Sequence, residues 1–381
     1  MSEKKKICFV SVMQQSVGFI HDAIRGLADD YDIYLAANIT ELEKLKELPI
    51  KGYRHIDIER KISLGSDLKA LRQLYAYFRK MKFDAAHSLM PKAGLISAMA
   101  AWLARVPLRL HTYTGQVWAT RHGAMRTMLK NMDRLIAKLN THVLTDGFSQ
   151  RDFLIKEKVI KAKKSLVLGK GSVCGVRTES FTPNAEIRAV KRAELGITDG
   201  QKAFMFLGRL NRDKGIVELL TAYNKLAEEV KDSKLVLFGN DEENMQQMFP
   251  SLANLSDNNF LYYGLTREPY NMLQAADIFV LPTYREGFGS SVIEAQCMGL
   301  PVITSDAYGV LDASIENVTG LRCKVGDADG LYDAMLYMCQ HPEEAEKMGR
   351  AGRERVLRDF SVEYLVGEWK NFYNTILPTD K

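Results

Sequence analysis

The chain has 381 residues, 46% hydrophobic and 26% charged, with 27 Gly and 10 Pro, which suits two or three packed domains and excludes a disordered or collagen-like chain. Its net charge of +5 is unevenly spread: residues 1–180 carry 31 Lys and Arg against 17 Asp and Glu, and residues 181–381 carry 21 against 30. Five scattered cysteines without a CxxC pair exclude a disulfide scaffold and offer no zinc spacing.

In chain order, residues 7–12 are apolar or small but too few for a signal-peptide core. The weakly polar stretch 94–104 falls far short of the ~20 apolar residues of a membrane span. The expectation is a cytoplasmic protein with reduced thiols, soluble or resting on the cytoplasmic face of an inner membrane. A basic first half suits a phosphate-bearing or anionic partner; solvated lysine faces explain the charge equally well.

Strands are predicted at 7–12, 33–37, 83–87, 108–113, 143–145 and 166–168, with helices at 19–28, 67–81 and 95–104 between them. A second series follows. It has a strand at 203–207, a helix at 215–229, strands at 235–238 and 260–263, and a helix at 270–275. A strand at 278–281, a helix at 290–298 and a strand at 302–304 complete it, and helix alone is predicted after 327. Alternation of this kind predicts an α/β protein of two Rossmann-like, doubly wound parallel-sheet domains facing across a cleft. The glycine-rich stretch 169–175 marks the boundary, giving domains at 1–175 and 176–360 and a last helix at 361–381. Ligands of such sheets bind beyond the carboxyl ends of strands, where a helix N-terminus presents free N–H groups.

The sharpest motif is Glu286-Gly-Phe-Gly-Ser-Ser-Val-Ile-Glu294, directly after a predicted strand. Gly287 and Gly289 allow close backbone approach, and Ser290 and Ser291 are candidate caps of the helix that follows. That helix tip suits a phosphate, leaving Glu286 and Glu294 to flank it. A surface loop and an exposed helix residue is the alternative, but Ala295-Gln-Cys-Met-Gly-Leu-Pro301 marks a packed helix, where a carboxylate needs a partner. The second motif is Gly208-Arg-Leu-Asn-Arg-Asp-Lys-Gly215. Arg209 and Lys214 flank a loop at another strand's carboxyl end and suit a diphosphate leaving group, whereas Arg212 is assigned to solvent. The alternative is a solvated basic turn. A Walker loop and an early GxGxxG are both absent, which disfavours a P-loop or NAD enzyme.

Gly208-Arg-Leu-x-x-x-Lys-Gly215 with Glu286-x7-Glu294 resembles the retaining glycosyltransferases of family 4, with the two-domain GT-B architecture. The likeness extends to members that assemble bacterial surface polysaccharides (capsule, lipopolysaccharide) or lipid-linked oligosaccharides. Leu261-Tyr-Tyr-Gly264, Ala276-Asp-Ile-Phe-Val-Leu-Pro282 and Gly299-Leu-Pro-Val302 fall where that family places its later strands. The resemblance implies that a nucleotide-diphosphate sugar, as substrate and without cofactor, binds the second domain. Gly208, Arg209 and Lys214 would hold the diphosphate. Glu286 and the amides of Gly287, Phe288 and Gly289 would face the sugar, Ser290 and Ser291 the phosphate, and Glu294 the ribose. Tyr263, Gly264 and Leu265 would lie beside the base. It also implies that residues 362–377 cross back to the first domain.

The first domain would then take a glycan or lipid-diphosphate acceptor. Gly18, in the loop after the first strand, Lys92, opening a helix after another, and Thr114, Gly115 and Gln116 are the candidates. Many family members carry a histidine where Thr114 stands; His111, three residues earlier, reads as a core residue. From Trp118 to Leu139 the chain is basic and amphipathic. Met125, Met128, Leu129, Met132, Leu135, Ile136 and Leu139 form one face, and Arg126, Lys130, Arg134 and Lys138 the other. It suits a core helix with a solvated basic face, or a helix on an anionic membrane. Asp30-Tyr-Asp32 and Asp327-Ala-Asp329 are rejected as metal sites, the first at the wrong end of its sheet and the second as a helix cap. The expected activity is retaining transfer of a hexose or N-acetylhexosamine, from a UDP-sugar, with no metal and no nucleic acid. A nucleotide-sugar epimerase and a non-enzymatic anion binder are the alternatives.

Overall fold

The computed structural model describes residues 3–58 and 63–378. The chain divides into two compact units, one of residues 1–175 with 362–381 and one of residues 176–361.

The first unit is built on a seven-stranded sheet: β1 (Lys6–Met13), β2 (Asp32–Asn38), β3 (Gly52–His55), β4 (Ala85–Leu89), β5 (Leu108–Tyr113), β6 (His142–Thr145) and β7 (Ser165–Val167). Their order is β3-β2-β1-β4-β5-β6-β7, every pair parallel. The second has six strands: β8 (Lys202–Leu207), β9 (Ser233–Phe238), β10 (Phe260–Gly264), β11 (Ile278–Leu281), β12 (Val302–Ser305) and β13 (Gly320–Cys323). They order β10-β9-β8-β11-β12-β13, again all parallel. Helices cover both faces of such sheets, so the central strands read as unbroken apolar runs. All residues of β9 and β11 are buried. In each sheet the winding reverses once, between β1 and β4 and between β8 and β11. Those two gaps are where ligands of doubly wound sheets bind.

The elements that sequence reading passes over are the ones without that apolar signature. Edge strand β3 exposes Tyr53, Arg54 and His55, and β13 carries half-buried Leu321 and Arg322. The helix Ala185–Glu194 buries no residue fully and is started by Asn184, whose side chain accepts from the Ile187 amide. The first helix is shorter than predicted, His21–Leu27, because residues 14–20 form a 3-10 stretch ahead of it.

The C-terminal helix Val362–Ile376 belongs to the first unit. Leu365, Trp369 and Tyr373 recur every four residues, so one stripe of the helix is apolar, and all three are buried. Trp369 donates its indole N–H to the Val173 carbonyl at 3.0 Å. The Tyr373 hydroxyl meets His87 Nδ1 at 2.8 Å, and His87 Nε2 meets Thr112 Oγ1 at 2.8 Å. Burial pushes the His87 imidazole down to about 3, so the ring stays neutral and serves as a core linker.

Trp369→Ala removes the largest side chain of this stripe and is expected to cost about 3–5 kcal/mol. Hydrogen exchange should then accelerate in β1 and β4 and stay unchanged in β8 and β11; equal acceleration in both units would contradict the assignment.

Candidate functional site

The loops that follow β8, β9 and β11 form one assembly at the winding reversal of the second unit. The Leu210 amide donates to the Asn240 carbonyl at 2.9 Å and the Glu242 amide to the Leu210 carbonyl at 3.0 Å, so the first two loops run alongside each other. Gly239 has φ +136°, and a Cβ there would stand 1.7 Å from the Gly208 carbonyl oxygen. The loops after β8 and β11 are joined as closely. Gly215 has φ +71°, and its Cβ would fall 2.0 Å from the Pro282 carbonyl oxygen. Only glycine permits either approach. The Asp213 carbonyl accepts from the Thr283 hydroxyl at 3.0 Å and the Tyr284 amide at 2.8 Å, and the Asp213 carboxylate takes Arg285 at 2.6 Å.

This scaffold aims charge into one region. Lys214 Nζ and a Glu286 carboxylate oxygen form an ion pair between side chains only 16% and 13% exposed. Arg209 pairs with Glu242 at 2.9 Å, but the two are 51% and 30% exposed. Asn211 Nδ2 donates to the same Glu242 oxygen at 3.1 Å, and Asn211 Oδ1 accepts from the Lys214 amide at 3.1 Å, which fixes the turn carrying Lys214. Arg212 is exposed. Glu242, Asn211, Asp213 and Arg285 were not singled out from sequence. The acidic run Asp241-Glu242-Glu243, directly after the strand that ends before Gly239, was the available signal.

The helix Ser290–Cys297 begins beside them. The expected serine cap is corrected: Gly289, at φ +87°, occupies the cap position and no side chain caps the helix. Ser290 and Ser291 therefore sit in the first turn. Among the described residues, no group accepts from the amides of Gly287, Phe288, Gly289 or Ser291, so this helix tip keeps its donors. The Phe288 side chain packs inward on Phe360 at 5.3 Å, which leaves only its backbone to face a ligand. Val292, Ile293 and Ala295 are buried, while Ser290, Ser291 and Glu294 remain partly exposed on the other side. No described residue pairs with Glu294, and burial pushes its carboxyl up to about 7. Beyond the β9 loop, the Gly264 carbonyl accepts from the Gly239 amide at 2.8 Å, Leu265 is exposed, and Tyr263 lies over Phe238 at 5.2 Å with its hydroxyl on Glu194 at 3.2 Å.

In the first unit, Gly18 follows β1, Lys92 follows β4, and Thr114, Gly115 and Gln116 follow β5. These are adjacent strands, so the residues gather at the carboxyl end of one sheet. The side chains at 13–16 lie outside the described residues. Lys92 pairs with Asp67 at 2.7 Å, the Thr114 hydroxyl points to Met90 Sδ at 3.6 Å, and Gln116 is buried against Gln150 at 3.4 Å. His111 is a core residue: it is fully buried in β5, its Nδ1 meets Ser88 Oγ at 3.0 Å, and burial pushes its pKa down to about 3.

The helix Gly123–Leu139 follows its predicted pattern only in part. Arg126 and Lys130 turn to Glu157, at 2.9 and 2.5 Å, and both lie 5.4 Å from the Trp118 ring centre. Trp118 is itself buried and donates to Asp133 at 2.7 Å. Met125, Met128 and Leu135 are exposed instead. Ile136 is buried and Leu129, Met132 and Leu139 are half-buried, as the pattern predicts, and Lys138 is exposed; Glu157 and the Trp118 ring turn Arg126 and Lys130 away from solvent. Asp327 caps the helix Ala328–Gln340, accepting from the Gly330 amide at 2.9 Å. Among the described residues, no three His, Cys, Asp or Glu side chains converge as metal ligands.

Residues 187–355, within the second unit, match the family glycosyl transferases group 1. This stretch is a group 1 glycosyltransferase domain. The whole chain is 28% identical over 377 residues to the capsular polysaccharide biosynthesis glycosyltransferase CapM of Staphylococcus aureus, covering 98% of both. It is 27% identical over 319 residues to the UDP-Gal:alpha-D-GlcNAc-diphosphoundecaprenol alpha-1,3-galactosyltransferase of Escherichia coli, covering 82% of this chain and 81% of that one. Among solved structures, Anabaena HepE in complex with UDP superposes with a TM-score of 0.79 at 16% identity, covering 97% of this chain and 100% of that chain. WaaG, involved in lipopolysaccharide biosynthesis, gives 0.75 at 14% identity over 98% and 100%. The two parallel-sheet α/β units are thus those of the GT-B glycosyltransferases.

Glu294→Gln tests the isolated carboxyl. A carboxyl whose folded pKa lies above its unfolded value destabilises the fold progressively as pH rises through the interval between them, here from 4.5 to about 7. The variant is therefore expected to melt higher than wild type at pH 8 and alike at pH 4.5; a lower melting temperature at pH 8 would show that Glu294 has a partner.

Proposed function

We propose that this group 1 glycosyltransferase belongs to family 4 and is retaining and metal-independent. It moves a hexose or N-acetylhexosamine from a UDP-sugar to a hydroxyl of a glycan or lipid-diphosphate-linked saccharide. The observation that carries the reading is the meeting of Lys214, Arg209 and the open helix tip before Ser290 at one winding reversal. Two cations and unpaired amides there oppose the charge that builds on a departing diphosphate. Glu286 would face the sugar, Glu294 would accept from the ribose hydroxyls, and Tyr263, Gly264 and Leu265 would border the base. Gly18, Lys92, Thr114, Gly115 and Gln116 would contact the acceptor. Uridine is supported by the neighbour solved with UDP and by the relative named for UDP-Gal; the lipid-diphosphate acceptor is supported by that relative's name.

The reaction is read as front-face transfer. The bond from the anomeric carbon to the phosphate oxygen breaks, and the acceptor oxygen bonds to that carbon from the same side. The departing phosphate oxygen takes the acceptor's proton. Glu286 and Glu294 flank a phosphate loop and not a glycosidic bond, so a glycosidase-like carboxylate pair is not used. The charge on Arg209 and Lys214 fills the role that a divalent cation takes in metal-dependent transfer.

The membrane contact expected of residues 118–139 is read as a surface formed by the exposed side of the helix Gly123–Leu139 and the helices next to it. The helix Pro91–Ala104 packs against both Leu64–Met81 and Gly123–Leu139. None of the exposed residues of these three helices is acidic. Leu64, Leu68, Tyr75, Trp102, Leu103, Met125 and Met128 are exposed beside Lys69, Arg72, Arg79 and Lys80. Apolar and aromatic side chains ringed by cations suit the surface of an anionic bilayer. No helix among the described residues is long and apolar enough to cross one.

Lys214→Ala is expected to lower nucleoside-diphosphate release by about 10²–10³-fold with the fold intact. Proton NMR of the product should show the donor's anomeric configuration; inversion would refute the mechanism, and turnover without any acceptor would favour an epimerase. Vesicles containing an anionic lipid should sediment the protein, and Trp102→Ala with Arg72→Glu should release it without changing transfer to a soluble acceptor. Equal sedimentation of wild type and variant would remove this surface from the account.

A further inference from the structure

In the chain without ligand, the ammonium that would hold the diphosphate is already occupied. Lys214 Nζ has one acidic partner among the described residues, Glu286. Their pair bridges the loops after β8 and β11, and both side chains are largely shielded. The Arg209–Glu242 pair, half-exposed, is screened and weaker. Both backbones around Lys214 and Glu286 are pinned. The Asn211 side chain holds the Lys214 amide at 3.1 Å, and the missing Cβ of Gly309 would stand 2.3 Å from the Glu286 carbonyl oxygen. Any exchange of partners is therefore a rotation of side chains on a fixed frame.

We infer that Glu286 is the resident counter-ion of Lys214, displaced by an incoming diphosphate, and that this exchange makes the site favour an intact nucleotide sugar over the nucleoside diphosphate left after transfer. The inference rests on the reading that Lys214 holds the diphosphate. A diphosphate reaching Lys214 takes over its N–H donors and leaves the Glu286 carboxylate beside fresh negative charge, without its cation. A carboxylate so placed is costly unless donors reach it. An intact donor brings hydroxyls on the sugar that supply them. A nucleoside diphosphate brings none, so Glu286 competes for Lys214 and expels the product. The same carboxylate thus orients the sugar before transfer and clears the site afterwards.

The consequence has an unusual sign: removing a residue of the donor site tightens its grip on a diphosphate. Inorganic pyrophosphate is the probe, since it reports the diphosphate position without base or sugar. Titration calorimetry on the full chain should find that Glu286→Gln binds pyrophosphate about tenfold more tightly than wild type, with Glu286→Ala as a second neutral variant and Glu286→Asp, which keeps the charge, showing no gain. Lys214→Ala should bind about tenfold more weakly. With Lys214→Ala in place, Glu286→Gln should gain less than it does with Lys214 present, because only relief of charge repulsion remains and no ammonium is freed. If the neutral variants bind pyrophosphate no more tightly than wild type while Lys214→Ala binds weakly, the exchange is refuted and the diphosphate site stands. If Lys214→Ala binds as wild type does, the diphosphate site itself is misplaced and the exchange falls with it.

Discussion

Close backbone approach at the β8–β11 reversal is the constraint on which the rest depends. A parallel sheet wound in two directions leaves a gap between the strands where the direction changes, and loops leaving those strands are free to meet there. In the second unit they meet within the reach of a missing side chain. Gly215 lies on the Pro282 carbonyl, and Gly239 on the Gly208 carbonyl. Any larger residue would push the loops apart, and with them Lys214 from Glu286 and the helix tip from both. The charged groups are placed by packing, and their chemistry follows from being held at the end of a rigid sheet.

The electrostatics follow the same logic. Lys214 and Arg209 each have an acid opposite, the first pair shielded and the second half in water. Glu294 stands apart, partly exposed and without a partner, its carboxyl raised by burial alone. A site with paired cations, one isolated carboxyl and unclaimed amides is balanced without ligand and ready to exchange partners with one. The first unit is organised differently. Its candidates Lys92 and Gln116 already bond within the unit, and its two buried strand histidines are held neutral.

Much of this was legible in the residues. Central strands announced themselves because burial on both faces forces unbroken apolar runs, and the site loops because glycine and charge cluster after those runs. What sequence did not disclose was partnership. Nothing in the spacing of Arg126, Lys130 and Arg134 shows that Glu157, a helix away, would draw two of their side chains inward and turn Met125 and Met128 out. Nor did the serines after Gly289 reveal that the glycine, by its left-handed backbone, would take the cap position from them. Edge strands β3 and β13 were missed for the reason that central ones were found: an edge has one neighbour and keeps polar residues.

The return of the helix Val362–Ile376 to the first unit carries a consequence for biosynthesis. Strand β1 is made before the second unit, yet Trp369 and Tyr373, which close the core over Phe9 and His87, are made after it. The second unit, contiguous in the chain, has all its strands before that point. Nascent chains would therefore carry a finished second unit behind an unsealed first one, and the basic, apolar surface of the latter becomes part of a complete domain only once the helix Val362–Ile376 has been made.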